Sequence, residues 1–247
     1  MVQLLRDRRR EVMVAIGTFL FRWRNAIVPW LFVLLLLPGP RLFAEPWLAL
    51  LVAVLVTGMG QAVRALTIGL RYIKRGGRGG TVYAADLVTE GIYAHVRNPM
   101  YVGNVLICLG VAIASNGLLV TLLAVPLATF AYAAIVAAEE RYLREKFGAA
   151  YDAYCRDVPA WIPDFRGLRN TLSGMTFNWR RVVVKEFGTP WGWISAIGAL
   201  TLLNLWRGGS FEANTTLVGI VVAVMAIAIV LWAVVMTLKS RRILVAR

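Results

Sequence analysis

Histidine occurs once in the 247 residues, at His95, and cysteine twice, at Cys108 and Cys155. A lone histidine excludes a His-rich metal centre. Two cysteines so placed match neither a disulfide framework nor a zinc motif, so no metal is expected. Charge is also scarce, at 16% of residues, and acidic groups are the scarcer kind, 13 against 27 basic ones. Soluble domains carry about a quarter charged residues. With 59% hydrophobic residues, the chain reads as an integral membrane protein. No small-residue cleavage site follows the first apolar run, so no cleavable signal peptide is expected.

What the chain does have is long apolar runs. A spanning helix needs about 20 mostly apolar residues, and lipid tolerates only helices or a closed barrel. The runs are continuous rather than alternating, which excludes the barrel. The expected fold is therefore an all-α integral membrane protein with about six transmembrane helices and an N-terminal interfacial helix. Residues 1–24 supply the interfacial helix. Their apolar part, Val12 to Phe21, is short, and burying Arg22 and Arg24 at the bilayer centre would cost roughly 2.5–3.5 kcal/mol each. Spans are then expected at 25–37, 47–70, 101–114, from Leu118 in a helix that continues past the membrane as "AAEERYLREKFG", at 190–206 and at 217–238.

The net charge of +14 points to orientation rather than to nucleic acid. Apart from Arg41, Arg64 and Arg207, every Lys and Arg lies in the N-terminus, the 71–99 loop, the 139–188 segment or the tail. The positive-inside rule then places both termini in the cytoplasm. The expected division is an interfacial helix at 1–24, a core at 25–165, a basic cytoplasmic linker at 166–188 and two added helices at 189–247. The glycine-rich "GGRGG" has no Lys-Ser/Thr pair opening a helix after it, so it reads as a mobile linker rather than a phosphate loop.

Three features could carry chemistry. Arg64 is an ionisable residue inside a span, which marks a functional candidate; snorkelling to the interface is the plain alternative. The turn "GIYAHVRNPMYVGN" combines Gly91, which allows unusual backbone angles, with Arg97, Asn98 and a proline at a helix start. Tyr93 and Tyr101 add flat faces with polar tips. An ordinary interfacial turn would also fit. In "EERYLREKFGAAYDAY", Glu139 and Glu140 could hold an ammonium group, although Glu140 and Arg144 also stand at i, i+4 as a surface pair would. Tyr151 and Tyr154 follow. A ligand with an amino group, a carboxylate, a flat ring and a positive centre suits the set, and S-adenosylmethionine has all four.

At these residues the sequence resembles the isoprenylcysteine carboxyl methyltransferase and phospholipid methyltransferase superfamily, in its bacterial-type branch. Gly91, Tyr93, Arg97, Asn98, Pro99, Tyr101 and Gly103 match its turn. Glu139, Glu140, Phe147, Gly148, Tyr151, Tyr154, Val158, Pro159 and Pro163 match its second motif. The resemblance covers about residues 50–165. It implies an S-adenosylmethionine-dependent methyltransferase acting at the cytoplasmic face of a bacterial inner membrane. Its acceptor would enter from the bilayer, either an isoprenylcysteine-like carboxylate or an amino phospholipid. Gly91, Tyr93, Arg97, Asn98, Tyr101, Glu139, Glu140 and Tyr154 would bind the cofactor, with Arg64 and Glu140 in catalysis. Asn98 stands where the eukaryotic isoprenylcysteine enzymes have histidine, so base catalysis from that position is not expected. The alternatives are an NADPH-dependent reductase of the steroid reductase-like type and a non-catalytic membrane protein.

Overall fold

The computed structural model describes residues 1–71, 75–78 and 81–244. Its helices are α1 (Val2–Leu34), α2 (Pro46–Leu70), α3 (Pro99–Ala114), α4 (Leu118–Phe147), α5 (Ala149–Asp157), α6 (Leu168–Ser173), α7 (Trp179–Glu186), α8 (Gly188–Arg207) and α9 (Thr215–Ser240). Proline at the first turn starts α2 and α3, where its missing N–H costs nothing. Asn116, at φ +51°, turns the chain between α3 and α4. Its side chain bonds both backbone polar groups of Phe43, which ties this turn to the α1–α2 connection.

α2 and α3 form the centre of the bundle; α4 packs on α3, α1 on α4, and the α8–α9 pair docks through α8 on α2 and α3. Leu35, Ala53, Val111, Ala112, Val120, Ile197 and Leu200 make the main apolar core. Three stretches are long and apolar enough to cross a membrane: Pro46–Leu70, Leu118–Phe147 and Glu212–Ser240. α3, with 16 residues, reaches only about 24 Å at 1.5 Å per residue, short of the ~30 Å hydrocarbon core. By length and composition the described helices thus supply three spans of the six expected.

Three expected boundaries differ. The N-terminal helix does not end at residue 24 but continues unbroken to Leu34. Val14 and Phe21 are buried, and a Cβ on Gly17 would lie 1.8 Å from the Ala134 carbonyl oxygen. A stripe at helical spacing with one residue lacking a side chain lets α1 pack directly on α4. The "GGRGG" region is not simply a linker: Arg75–Arg78 pairs antiparallel with Thr81–Ala84, residues 79–80 lying outside the described ones. The segment 166–188 is likewise built rather than slack. It holds α6 and α7, the latter capped by Asn178, whose Oδ1 accepts from Arg181 N at 2.8 Å. Asn178 N donates to Gly69 O at 2.9 Å, which fastens this segment to the end of α2.

Candidate active site

The turn preceding α3 begins with Gly91 at φ +66°, in a single 3-10 turn over Gly91–Ala94. Left-handed angles disfavour any side chain there. From this turn Tyr93 points into the protein, 6% exposed. Its carbonyl accepts from Tyr154 Oη of α5 at 2.7 Å.

Arg97 joins the two motifs. Its backbone N–H donates to Pro159 O at 2.8 Å. Nη1 donates to the carbonyls of Cys155 and Val158, both at 2.9 Å, and Nη2 to Glu140 Oε1 at 3.0 Å. A cation on the carbonyls ending α5 is where the helix dipole favours it. The pair with Glu140 is largely shielded, the side chains being 14% and 18% exposed. Arg97 Nε is buried and has no partner among the described residues. The expected i, i+4 pair of Glu140 with Arg144 gives way to this arrangement, and Arg144 bonds Asp152 Oδ1 at 2.8 Å instead.

Asn98 is 3% exposed, and its Nδ2 donates to Ala160 O at 3.2 Å. Its carbonyl accepts from Tyr101 N and Val102 N. It therefore holds the proline-flanked segment around Ala160 against the start of α3. Tyr101 Oη donates to Glu139 Oε1 at 2.6 Å, and its ring lies 5.6 Å from that of Tyr132. Glu139 is 4% exposed. His95 is buried with both ring nitrogens engaged, Nδ1 at the Asp164 carbonyl and Nε2 at Thr171 Oγ1. It braces the 164–171 segment.

A pocket opens between the two motifs. Of the expected residues, Tyr93, Arg97 and Tyr154 line it; Ala84, Asp86, Leu87, Val88, Leu143 and Tyr151 complete it. Glu140 reaches this group through Arg97, and Glu139 and Tyr101 form a separate pair. Asp86 and Tyr151 were not among the expected site residues. Tyr151 was visible in the second motif, whereas nothing in the sequence around Asp86 marks it. Arg64 stands apart, bonded to Glu186 at 2.6 Å and to Asn104. Glu186 was also missed, although it is the one acidic residue between Asp164 and Glu212.

Residues 48–150 match the family described as phospholipid methyltransferase. The match agrees with the resemblance that the two motifs carry. Among curated proteins, a protein-S-isoprenylcysteine O-methyltransferase of Schizosaccharomyces pombe is 39% identical over 77 residues, 31% of this chain and 33% of its own. The cobalt-zinc-cadmium resistance protein CzcN of Cupriavidus metallidurans is 35% identical over 77 residues, 31% of this chain and 35% of its own. The chain thus spans about a third of the length of the curated relatives it matches. No solved structure matches. Both motifs' central residues, from Gly91 to Glu140, lie inside the matched stretch; Tyr154, α7 and Glu186 lie beyond it.

Proposed function

We propose that the chain is a membrane methyltransferase that takes its methyl group from S-adenosylmethionine and delivers it to a lipid-like acceptor. The observation that carries this reading is the Arg97 junction. One side chain binds the end of α5 and Glu140 together, and so holds three tyrosines around one pocket. The pocket's chemistry fits the cofactor. Tyrosine faces attract a sulfonium, the unpartnered Arg97 Nε is a donor suited to a carboxylate, and Asp86 is an acceptor suited to amino or hydroxyl groups. Tyr93, Tyr151, Tyr154, Arg97 and Asp86 would hold S-adenosylmethionine, which when bound supplies a methyl group activated by the positive sulfur.

The chain's own residues then position and shield. Burial of Tyr93, Tyr151 and Tyr154 excludes water, and the fixed Arg97 keeps the pocket preformed, so proximity and desolvation do most of the work. Glu140 meets Arg97 through Oε1 and is the carboxylate placed to accept a proton or an ammonium group at the pocket's edge. Arg64, the ionisable residue within α2, is assigned to the acceptor end. The clustering of basic residues between the apolar runs supports a site at the cytoplasmic face of the membrane, with both termini inside. Titration calorimetry of the purified protein with S-adenosylhomocysteine and with NADPH tests this. Micromolar binding of the former alone is expected; binding of NADPH alone overturns the proposal in favour of a reductase, and binding of neither points to a non-catalytic protein.

A further inference from the structure

Lys146 stands in the last turn of α4, where a cation ordinarily serves its own helix end. Here it reaches across to another segment. Its Nζ donates to the carbonyl of Ala84 and, at 3.4 Å, to that of Ala85. The same ammonium group lies 5.4 Å from the centre of the Tyr83 ring and 5.3 Å from that of Phe147, close enough for both rings to attract it. Ala84 ends the second strand of the antiparallel pair. It is buried in one apolar cluster with Leu143, Tyr151 and Tyr154.

The chain beyond Ala84 has little else to hold it. Residues 85–90 form neither helix nor strand. Among the described residues, no hydrogen bond reaches Asp86, Leu87, Val88 or Thr89. Leu87 packs against the cluster around Tyr151, and Glu90 meets Arg71 at 3.6 Å in a largely exposed pair, which contributes little. Yet this strap is one wall of the pocket, lined by Ala84, Asp86, Leu87 and Val88. Tyr93, Leu143, Tyr151 and Tyr154 on its other walls are all buried. Segments with few buried contacts and few backbone bonds are the ones that open locally. The strap is therefore the wall able to move.

We propose that Lys146 is a positioning residue for the cofactor: by anchoring Ala84 and Ala85 to the end of α4, it holds the strap, with Asp86, across the pocket and slows the cofactor's release. This rests on the reading of the pocket as an S-adenosylmethionine site. Lys146 acts through the backbone of the strap and does not line the pocket itself. With the anchor in place, opening means breaking bonds to a charged donor and withdrawing the ammonium group from two rings. Without it, only Leu87 has to leave its apolar contacts. Lys146 is exposed, so water makes up part of the loss; what remains makes opening about tenfold more frequent.

The test compares wild type, Lys146→Met, which keeps the stem and loses the donor, and Lys146→Arg, which keeps charge and donor. In unliganded protein in detergent, chymotrypsin cleavage after Leu87, followed by mass spectrometry, reads the opening of the strap. Stopped-flow measurement reads association and dissociation of S-adenosylhomocysteine. Lys146→Met is expected to be cleaved about tenfold faster and to release S-adenosylhomocysteine about tenfold faster, with its association rate unchanged; Lys146→Arg is expected to restore both. A merely structural role would lower the Tm without changing the dissociation rate from folded protein. An unchanged dissociation rate in folded Lys146→Met overturns the proposal, whatever the cleavage rate. Failure of the wild type to bind S-adenosylhomocysteine overturns the methyltransferase reading beneath it, and equal cleavage of wild type and Lys146→Met then overturns the anchor as well. If Lys146→Met does not fold, Lys146→Gln takes its place with the same outcomes.

Discussion

Replacing Arg97 by methionine puts the central junction to a quantitative test. The substitution keeps an unbranched apolar stem and removes three side-chain hydrogen bonds, to Cys155 O, Val158 O and Glu140 Oε1. Bonds to a charged group contribute about 1.5–3 kcal/mol each, and most of that is lost when the acceptors stay buried. Helix-end carbonyls can recruit water, and the pair is 14% and 18% exposed. Discounting the sum for both leaves a destabilisation of about 3 kcal/mol. Glu140→Gln is milder, about 1 kcal/mol, because the amide oxygen still accepts from Nη2. If the junction preorganises the pocket, Arg97→Met raises the Kd for S-adenosylhomocysteine about a hundredfold, while Arg97→Lys, which keeps the charge but not the fork, falls between. Thermal unfolding in detergent reads the stability, and calorimetry reads the binding. Combining Arg97→Met with Glu140→Gln should give a loss smaller than the two single losses added together, because the two side chains share one bond. Wild-type affinity for S-adenosylhomocysteine in a folded Arg97→Met protein would show that Arg97 neither shapes nor lines a cofactor site.

Tyr154→Phe removes the bond to the Tyr93 carbonyl between two buried groups; about 1 kcal/mol of stability and severalfold in S-adenosylhomocysteine affinity should go with it, and unchanged binding would remove Tyr154 from the site. Gly91→Ala forces a side chain into φ +66° with its Cβ 3.3 Å from Arg71 Cβ; a loss of about 1–2 kcal/mol in unfolding experiments is expected, and a neutral result would mean that the turn relaxes. Hydrogen bonds from Arg166 hold the Asp164 carboxyl below the usual range, to about 2. A lowered folded-state value stabilises above the unfolded carboxyl's value of about 3.9 and loses that effect as pH falls toward 2. Wild type and Asp164→Asn should thus differ by a constant amount above pH 4 and converge below it in thermal scans, and a difference growing between pH 5 and 7 would assign the titration to another group.

Much of the site was legible because its rules are local. Proline at a helix start, glycine in a turn and apolar runs of membrane length each act within a few residues, and they located α2, α3, α4, α8 and α9 to within a few positions. The spacing of "GIYAHVRNPMYVG" and "EERYLREKFGAAYDAY" also marked which residues to watch. Partners were less legible. Glu140 and Arg144 satisfied the i, i+4 rule, yet Arg97, 43 residues upstream, took Glu140. The reason is tertiary: Arg97 is pinned by the carbonyls ending α5, and Asp152 stands ready for Arg144.

The amino-acid sequence alone determined that this chain is a helical membrane protein and singled out two motifs as its candidate site, because hydropathy, charge asymmetry and turn residues act through the nearest neighbours and the surrounding solvent. Only the tertiary structure decided what those side chains hold. It gave Arg64 a carboxylate from residue 186, ran α1 unbroken onto α4 through Gly17, and made the basic stretch before α8 part of the bundle. Each of these is a contact between segments far apart in the chain, selected by which buried charge or apolar stripe could be satisfied once α2 and α3 had packed.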